Sequence, residues 1–229
     1  FAVLAFRGTE ASSIKDIKAD ARAIAVACPT GGNIHSGFND AYNEVALCIQ
    51  GRLDEDDLKD LPLFITGHSL GGALATIAAK KLTHPNAGIA ACYTFGSPRV
   101  GDQHWLASFK TPIYRLVNAA DCVTMLPPGD EIISTLGWLV KGIPYVGRSL
   151  RAFLLNKISG YMHVGDMRYM TNCATPADYR DVELLYSASL FRRVLGFMIK
   201  KAPWHKVLTD HSIKTYRKKL LVIASRRNP

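Results

Sequence analysis

Residues 61–79 read Leu-Pro-Leu-Phe-Ile-Thr-Gly-His-Ser-Leu-Gly-Gly-Ala-Leu-Ala-Thr-Ile-Ala-Ala. The apolar run Leu61–Thr66 predicts a strand, and the small-residue run Gly72–Ala79 predicts a helix. Gly67-His-Ser-Leu-Gly71 joins them, which is the Gly-x-Ser-x-Gly pattern in the strand–turn–helix setting that gives it meaning. In such a turn Ser69 takes a strained backbone conformation, with its hydroxyl pushed out at the carboxyl end of the strand. A Cβ at position 67 or 71 would crowd the turn or the helix leaving it. Ala73 and Ala75 keep that helix slim enough to lie on a sheet. The plain alternative is a tight turn whose serine only caps the helix.

Working outward, Phe1–Arg7 predicts a strand ending at Gly8-Thr9-Glu10, and Ser12–Ala23 a short surface helix. Pro29–Asn33 is a turn, and His35-Ser-Gly-Phe-Asn-Asp-Ala-Tyr42 leads into a helix reaching about Gly51. Asp54–Asp60 is an acidic surface stretch. Further strands run over Gly88–Phe95 and Ile113–Val117, and a late helix begins near Asp210. Strands alternating with helices predict an α/β fold, a mostly parallel central sheet with helices on both faces. Between about Gly129 and Gly160 the rhythm breaks, which reads as an insertion (129–160), and the C-terminal third reads as helical. The 229 residues suit one domain. The run Phe1–Phe6 lacks a basic leader and reads as a buried strand, so residues upstream of it are expected.

The chain is 48% hydrophobic and 21% charged, as in a soluble globular protein, and holds no apolar stretch long enough to span a bilayer. Its five cysteines (Cys28, Cys48, Cys92, Cys122, Cys173) are an odd number without close pairs, which fits neither a disulfide framework nor a zinc site. Cys48, Cys92 and Cys122 read as small core residues. The net charge of +9 is uneven: residues 1–140 hold 11 Lys and Arg against 14 Asp and Glu (−3), residues 141–229 hold 17 against 5 (+12). The basic half contains Ser189-Leu-Phe-Arg-Arg-Val-Leu-Gly-Phe-Met-Ile-Lys-Lys201, which reads either as a surface for anionic membranes or as a helix with a core face and a solvated Arg/Lys face. No zinc finger, RNP-type motif or aromatic interleaving supports nucleic acid as the partner.

A serine hydroxyl needs a base, and the base needs a carboxylate to orient it. In open α/β sheets such groups gather beyond the carboxyl ends of the strands. Asp121 follows the Ile113–Val117 strand, with Asp102 and Asp130 as rivals in poorer positions. Two histidines compete for the base. His211, on the loop before the last helix, is favoured because a late loop can swing over the sheet edge; His163 reads as a structural partner of a strand. His68 should point away from the serine and support the turn. His35, His84, His104 and His205 read as ordinary surface or core residues. For the oxyanion, one N–H comes from Leu70, at the start of a helix, and another from the loop after the first strand, where Thr9 follows Gly8.

Phe6-Arg-Gly-Thr9, His35-Ser-Gly-Phe38, Gly67-His-Ser-Leu-Gly-Gly-Ala-Leu-Ala75, Phe95-Gly-Ser-Pro-Arg-Val-Gly101, Asp121 with Leu126-Pro-Pro128, and Asp210-His-Ser with Tyr216 together resemble class 3 lipases, the fungal-lipase-like branch of the α/β-hydrolases. The resemblance covers about residues 1–128 plus the C-terminal histidine segment. It implies hydrolysis of acylglycerol esters without metal or cofactor, a Ser69–Asp121–His211 triad and an oxyanion hole of Thr9 and Leu70. It also implies a lid over about Ala11–Ala23 that opens at a lipid interface. Two departures stand out: the family's first strands and helix are absent, and the 90 residues from Asp121 to His211 are long for it. A secreted or peripheral-membrane location fits this reading better than a cytoplasmic one. The rival readings are a phospholipase or acyltransferase on membrane lipids, and a non-catalytic lipid-binding module.

Overall fold

Five parallel strands, four of them apolar runs in the sequence, line up their carboxyl ends along one edge of a six-stranded sheet. The computed structural model describes residues 1–8, 25–29, 31–107, 109–127, 129, 160–173, 179–189, 193 and 209–227. Its strands are β1 (Ala2–Phe6), β2 (Ala25–Ala27), β3 (Asn33–His35), β4 (Leu63–His68), β5 (Ile89–Phe95), β6 (Ile113–Asn118), β7 (Asp166–Met170) and β8 (Leu184–Leu185). Its helices are α1 (Ser36–Leu53), α2 (Leu70–Lys81), α3 (Gln103–Leu106) and α4 (Ile213–Arg227). The sheet order is β1-β4-β5-β6-β7-β8, parallel except for the antiparallel β7–β8 pair. Phe6 pairs with Gly67, His68 with Phe95, Phe95 with Leu116, and Asn118 with Met170. Whatever follows these residues therefore emerges at the same edge.

Side-chain alternation along the strands covers both faces. Cys92 and Ile113 point into one core with Ile65, Ile77, Ala75, Ala78 and Trp105, beneath α1 and α2. Leu116 and Phe95, of opposite parity, join a second core with Met170, Val182, Tyr216 and Ile223, beneath α4. The expected α/β arrangement with helices on both faces is thus present. Most of α2 is buried because its inward residues are glycine and alanine, which let it approach the sheet closely.

Several expectations need correction. The C-terminal third is not simply helical: Asp166-Met-Arg-Tyr-Met170 forms β7 beside β6, and Leu184–Leu185 pairs with it. Polar residues are tolerated there because only Tyr169 and Met170 are buried. The turn expected at Pro29–Asn33 falls where β2 meets β3 in a small hairpin, with Asn33 already in β3; these three-residue strands were not expected, because they carry too little pattern to be read from sequence. Cys48 is exposed on α1 rather than in the core; Cys92 is buried and Cys122 partly so, and all five cysteines are free thiols. Arg193 is buried rather than solvated. Thr9, the 11–23 lid segment, Asp130 and nearly all of the 129–160 insertion lie outside the described residues, as do His205 and the 189–201 stretch apart from Ser189 and Arg193.

Candidate active site

The turn after β4 holds Ser69 at φ 57°, ψ −126°, a left-handed conformation that an L-residue adopts only when its surroundings impose it. Those surroundings are tight. A Cβ on Gly67 would lie 2.0 Å from the Gly71 carbonyl oxygen, and one on Gly71 would lie 2.3 Å from that of Phe6. The Ser69 amide donates to the Phe95 carbonyl oxygen (3.0 Å), tying the turn to the neighbouring strand. Leu70 opens α2, where the first amides have no partner within the helix. Gly8 packs against the same turn, its notional Cβ 3.4 Å from that of Ser69.

Three residues far apart in the chain then meet. Ser69 Oγ is 2.8 Å from His211 Nε2, and His211 Nδ1 is 3.0 Å from both Asp121 carboxylate oxygens. With the Nδ1 hydrogen donated to Asp121, Nε2 carries the lone pair and accepts the serine hydroxyl hydrogen. All three are buried, at 1%, 4% and 0% exposure for Ser69, His211 and Asp121. Asp121 is held from two further sides: the Val123 amide donates to Oδ1 (3.0 Å) and the Tyr216 hydroxyl to Oδ2 (2.7 Å). The Tyr216 oxygen in turn accepts from the Asn118 amide (3.0 Å). Burial first, and then the negative charge of Asp121, push the Tyr216 phenol well above its ordinary value, so it stays a donor.

The rivals have other work. Asp102 caps α3, accepting from the Trp105 amide (2.8 Å), and holds Asn33 through its backbone and side-chain nitrogens (3.0 and 2.7 Å). His163 donates from Nε2 to the Thr124 carbonyl oxygen (2.7 Å), in the segment following Asp121. Its burial, among Arg115, Arg99 and Arg193, holds its imidazole well below the usual histidine range. That segment is fastened by Arg99 Nη1 to the Met125 and Pro127 carbonyl oxygens (2.7 and 2.8 Å), and by Arg193 to the Thr124 hydroxyl.

His68 corrects an expectation. Its ring leans on that of His211 (centroids 4.7 Å apart), and its Nε2 donates to the His211 carbonyl oxygen (2.7 Å). It braces the imidazole rather than the turn. Sequence reading also missed Tyr216 as a partner of Asp121, the Asn118 side chain, and Gly96. At φ +59°, Gly96 sits so close that a Cβ would lie 2.7 Å from Asp121 Oδ2 and 3.1 Å from His211 Cε1. Its place after the β5 strand, in the Phe95-Gly-Ser-Pro motif, was the available signal. Among the described residues, no group of His, Cys, Asp and Glu is arranged to hold a metal. The arrangement is suited to proton transfer from a serine hydroxyl to an oriented imidazole.

The family model described as Lipase (class 3) matches residues 3–131. A lipase of Rhizomucor miehei is 36% identical over 154 residues, which is 62% of this chain and 40% of that protein. Secreted mono- and diacylglycerol lipase 1 of Fusarium solani is 40% identical over 105 residues, 43% of this chain and 31% of that protein. A chloroplastic phospholipase A(1) of Arabidopsis thaliana is 37% identical over 99 residues, 41% of this chain and 21% of that protein. This chain therefore spans well under half the length of these curated relatives. The solved propeptide complex of Rhizomucor miehei lipase superposes with a TM-score of 0.57 at 26% identity, over 91% of this chain and 59% of that one. The family match takes in more than half of the residues and the whole serine turn, and the chain belongs to the class 3 lipase family, on an α/β-hydrolase fold.

Proposed function

We propose that this chain carries the catalytic machinery of a serine carboxylic ester hydrolase acting on lipid esters. Ser69 Oγ attacks the ester carbonyl carbon while His211 Nε2 takes its proton, and Asp121 holds the imidazolium in register. The oxyanion is received by the Leu70 amide and by Thr9, and each such donor is worth about 3 kcal/mol of transition-state stabilisation. His211 then returns the proton to the departing alcohol, leaving an acyl-Ser69 ester that water cleaves by the same route in reverse.

The observation that carries this reading is the unbroken path from Ser69 Oγ through His211 to Asp121, at 2.8 and 3.0 Å. The 1% exposure of Ser69 implies that a substrate enters only after something moves aside. We assign that role to the 11–23 segment as a lid, and assign one catalytic domain to the whole chain with 129–160 as an insertion. The substrate is a lipid ester, in keeping with the names of the Rhizomucor and Fusarium relatives. Relatives from Fusarium solani and Malassezia globosa are named as secreted, and we place this protein outside the cell or on a membrane surface.

A fluorophosphonate probe tests the chemistry. Labelling lost in Ser69→Ala and kept in Ser97→Ala is the expected result; labelling that survives Ser69→Ala overturns it. Product analysis with triacylglycerol, phosphatidylglycerol and an alcohol acceptor then separates a neutral-lipid lipase from a phospholipase or an acyltransferase.

A further inference from the structure

Lys219 is an ammonium with 2% exposure, on the inward face of α4 with Tyr216 and Ile223. A charge taken out of water is costly unless close partners offset the lost hydration. Lys219 Nζ lies 2.6 Å from Asn118 Oδ1 and 2.7 Å from the Thr171 carbonyl oxygen, with the Tyr179 ring centroid 5.6 Å away. These belong to the residue that ends β6 and the residue that follows β7.

The ammonium has three hydrogens and no lone pair, so of the two ends of a side-chain amide it can bond only the oxygen. It therefore dictates which end of the Asn118 amide faces it. With Oδ1 turned to Lys219, Nδ2 must face the other way, where it donates to the Asp210 carbonyl oxygen (2.7 Å). Asp210 immediately precedes the imidazole. The peptide before His211 is thus gripped by Asn118, and the one after it by His68 (2.7 Å). The same Asn118 gives its backbone amide to Tyr216, the donor to Asp121.

From this we infer that Lys219 is a positioning residue for the catalytic pair: it fixes the orientation of the Asn118 amide, which sets His211 against both Ser69 and Asp121. The inference rests on the triad proposed above. A misplacement of about 1 Å in such a group costs up to about a hundredfold in rate.

Lys219→Met removes the ammonium while keeping the volume. Asn118→Asp keeps an acceptor for Lys219, and so a paired charge, but turns an oxygen toward the Asp210 carbonyl. With a soluble p-nitrophenyl ester, each variant is expected to lose about tenfold or more in kcat with KM within about twofold. Should Lys219→Met fail to fold, Asn118→Asp, whose ion pair supports the fold, decides the question. Proton NMR gives a readout independent of turnover: the downfield resonance of the hydrogen between His211 Nδ1 and Asp121 should broaden in both variants. Unchanged kcat and an unchanged resonance in folded Asn118→Asp would overturn the inference while Ser69 labelling left the esterase reading standing. A wild-type chain that shows the resonance but no labelling would remove the esterase reading instead.

Discussion

The Tyr216 hydroxyl bridges the Asn118 amide and the Asp121 carboxylate, at 3.0 and 2.7 Å, with its ring wholly buried. One oxygen thus links the end of β6 to the carboxylate that orients the imidazole. Tyr216→Phe removes a donor from Asp121 and leaves the buried Asn118 amide without its acceptor. Leaving such a group unmet costs about 1–3 kcal/mol. We expect a drop of that size in denaturant-derived stability, together with a fall of about tenfold in kcat/KM for a soluble ester.

Gly96 provides a steric test of the same pocket. Its positive φ and the 2.7 Å approach to Asp121 Oδ2 leave no room for a methyl group. Gly96→Ala should displace either the carboxylate or the imidazole and lower kcat by about a hundredfold. Gly88 also has a positive φ, but open space around its notional Cβ. Gly88→Ala is the control for backbone strain alone and should leave kcat near wild type.

Acid should weaken the fold through His163 and His68. Burial, the leading cause in both, lowers the imidazole of each below its ordinary value of 6.5. Each is neutral in the folded chain and binds a proton more readily when unfolded. Their contribution is therefore complete above pH 6.5 and is lost as pH falls from there through the folded values. The stability measured by urea denaturation should fall below pH 6.5 with a slope approaching about 1.4 kcal/mol per pH unit for each histidine. His163→Gln, which keeps a side-chain N–H to offer the Thr124 carbonyl, should flatten that slope; an unchanged slope would clear His163 of the role.

The outer face of α4 carries Lys214, Arg217, Lys218, Arg226 and Arg227 with the exposed Ile213 and Leu221, and no acidic residue. Together with the +12 balance of residues 141–229, this supports contact with anionic lipid surfaces. Vesicle binding should rise with phosphatidylglycerol content and weaken as salt shortens the screening length to about 10 Å near 0.1 M. Binding indifferent to salt would count against it.

What could be read from the chain was whatever is local. Ser69 is announced by its own neighbours, and Asp121 by its place at a strand exit. His211 was preferred over His163 only for its place on a late loop before the last helix, since two isolated histidines look alike until their partners are known. Lys219 was hidden for a different reason: in Arg217-Lys-Lys-Leu-Leu221 it looks like one more solvated cation. Only the helix phase, which turns residue 219 inward with Tyr216 and Ile223, sets it apart. β7 escaped notice because Asp-Met-Arg-Tyr-Met is a strand by virtue of the β6 edge it joins, and strand preference depends on such neighbours. His68 was read from its position in the turn, whereas its direction is decided by a carbonyl 143 residues further on.

The separation of 142 positions from Ser69 to His211 has a consequence for synthesis. The elbow and its strand leave the ribosome long before the imidazole does, and the helix that steadies that imidazole follows it. A nascent chain displaying the folded turn holds a hydroxyl with no base to activate it. The serine gains its base only once the His211 segment and α4 have been made, so the triad proposed above is assembled late relative to its own nucleophile.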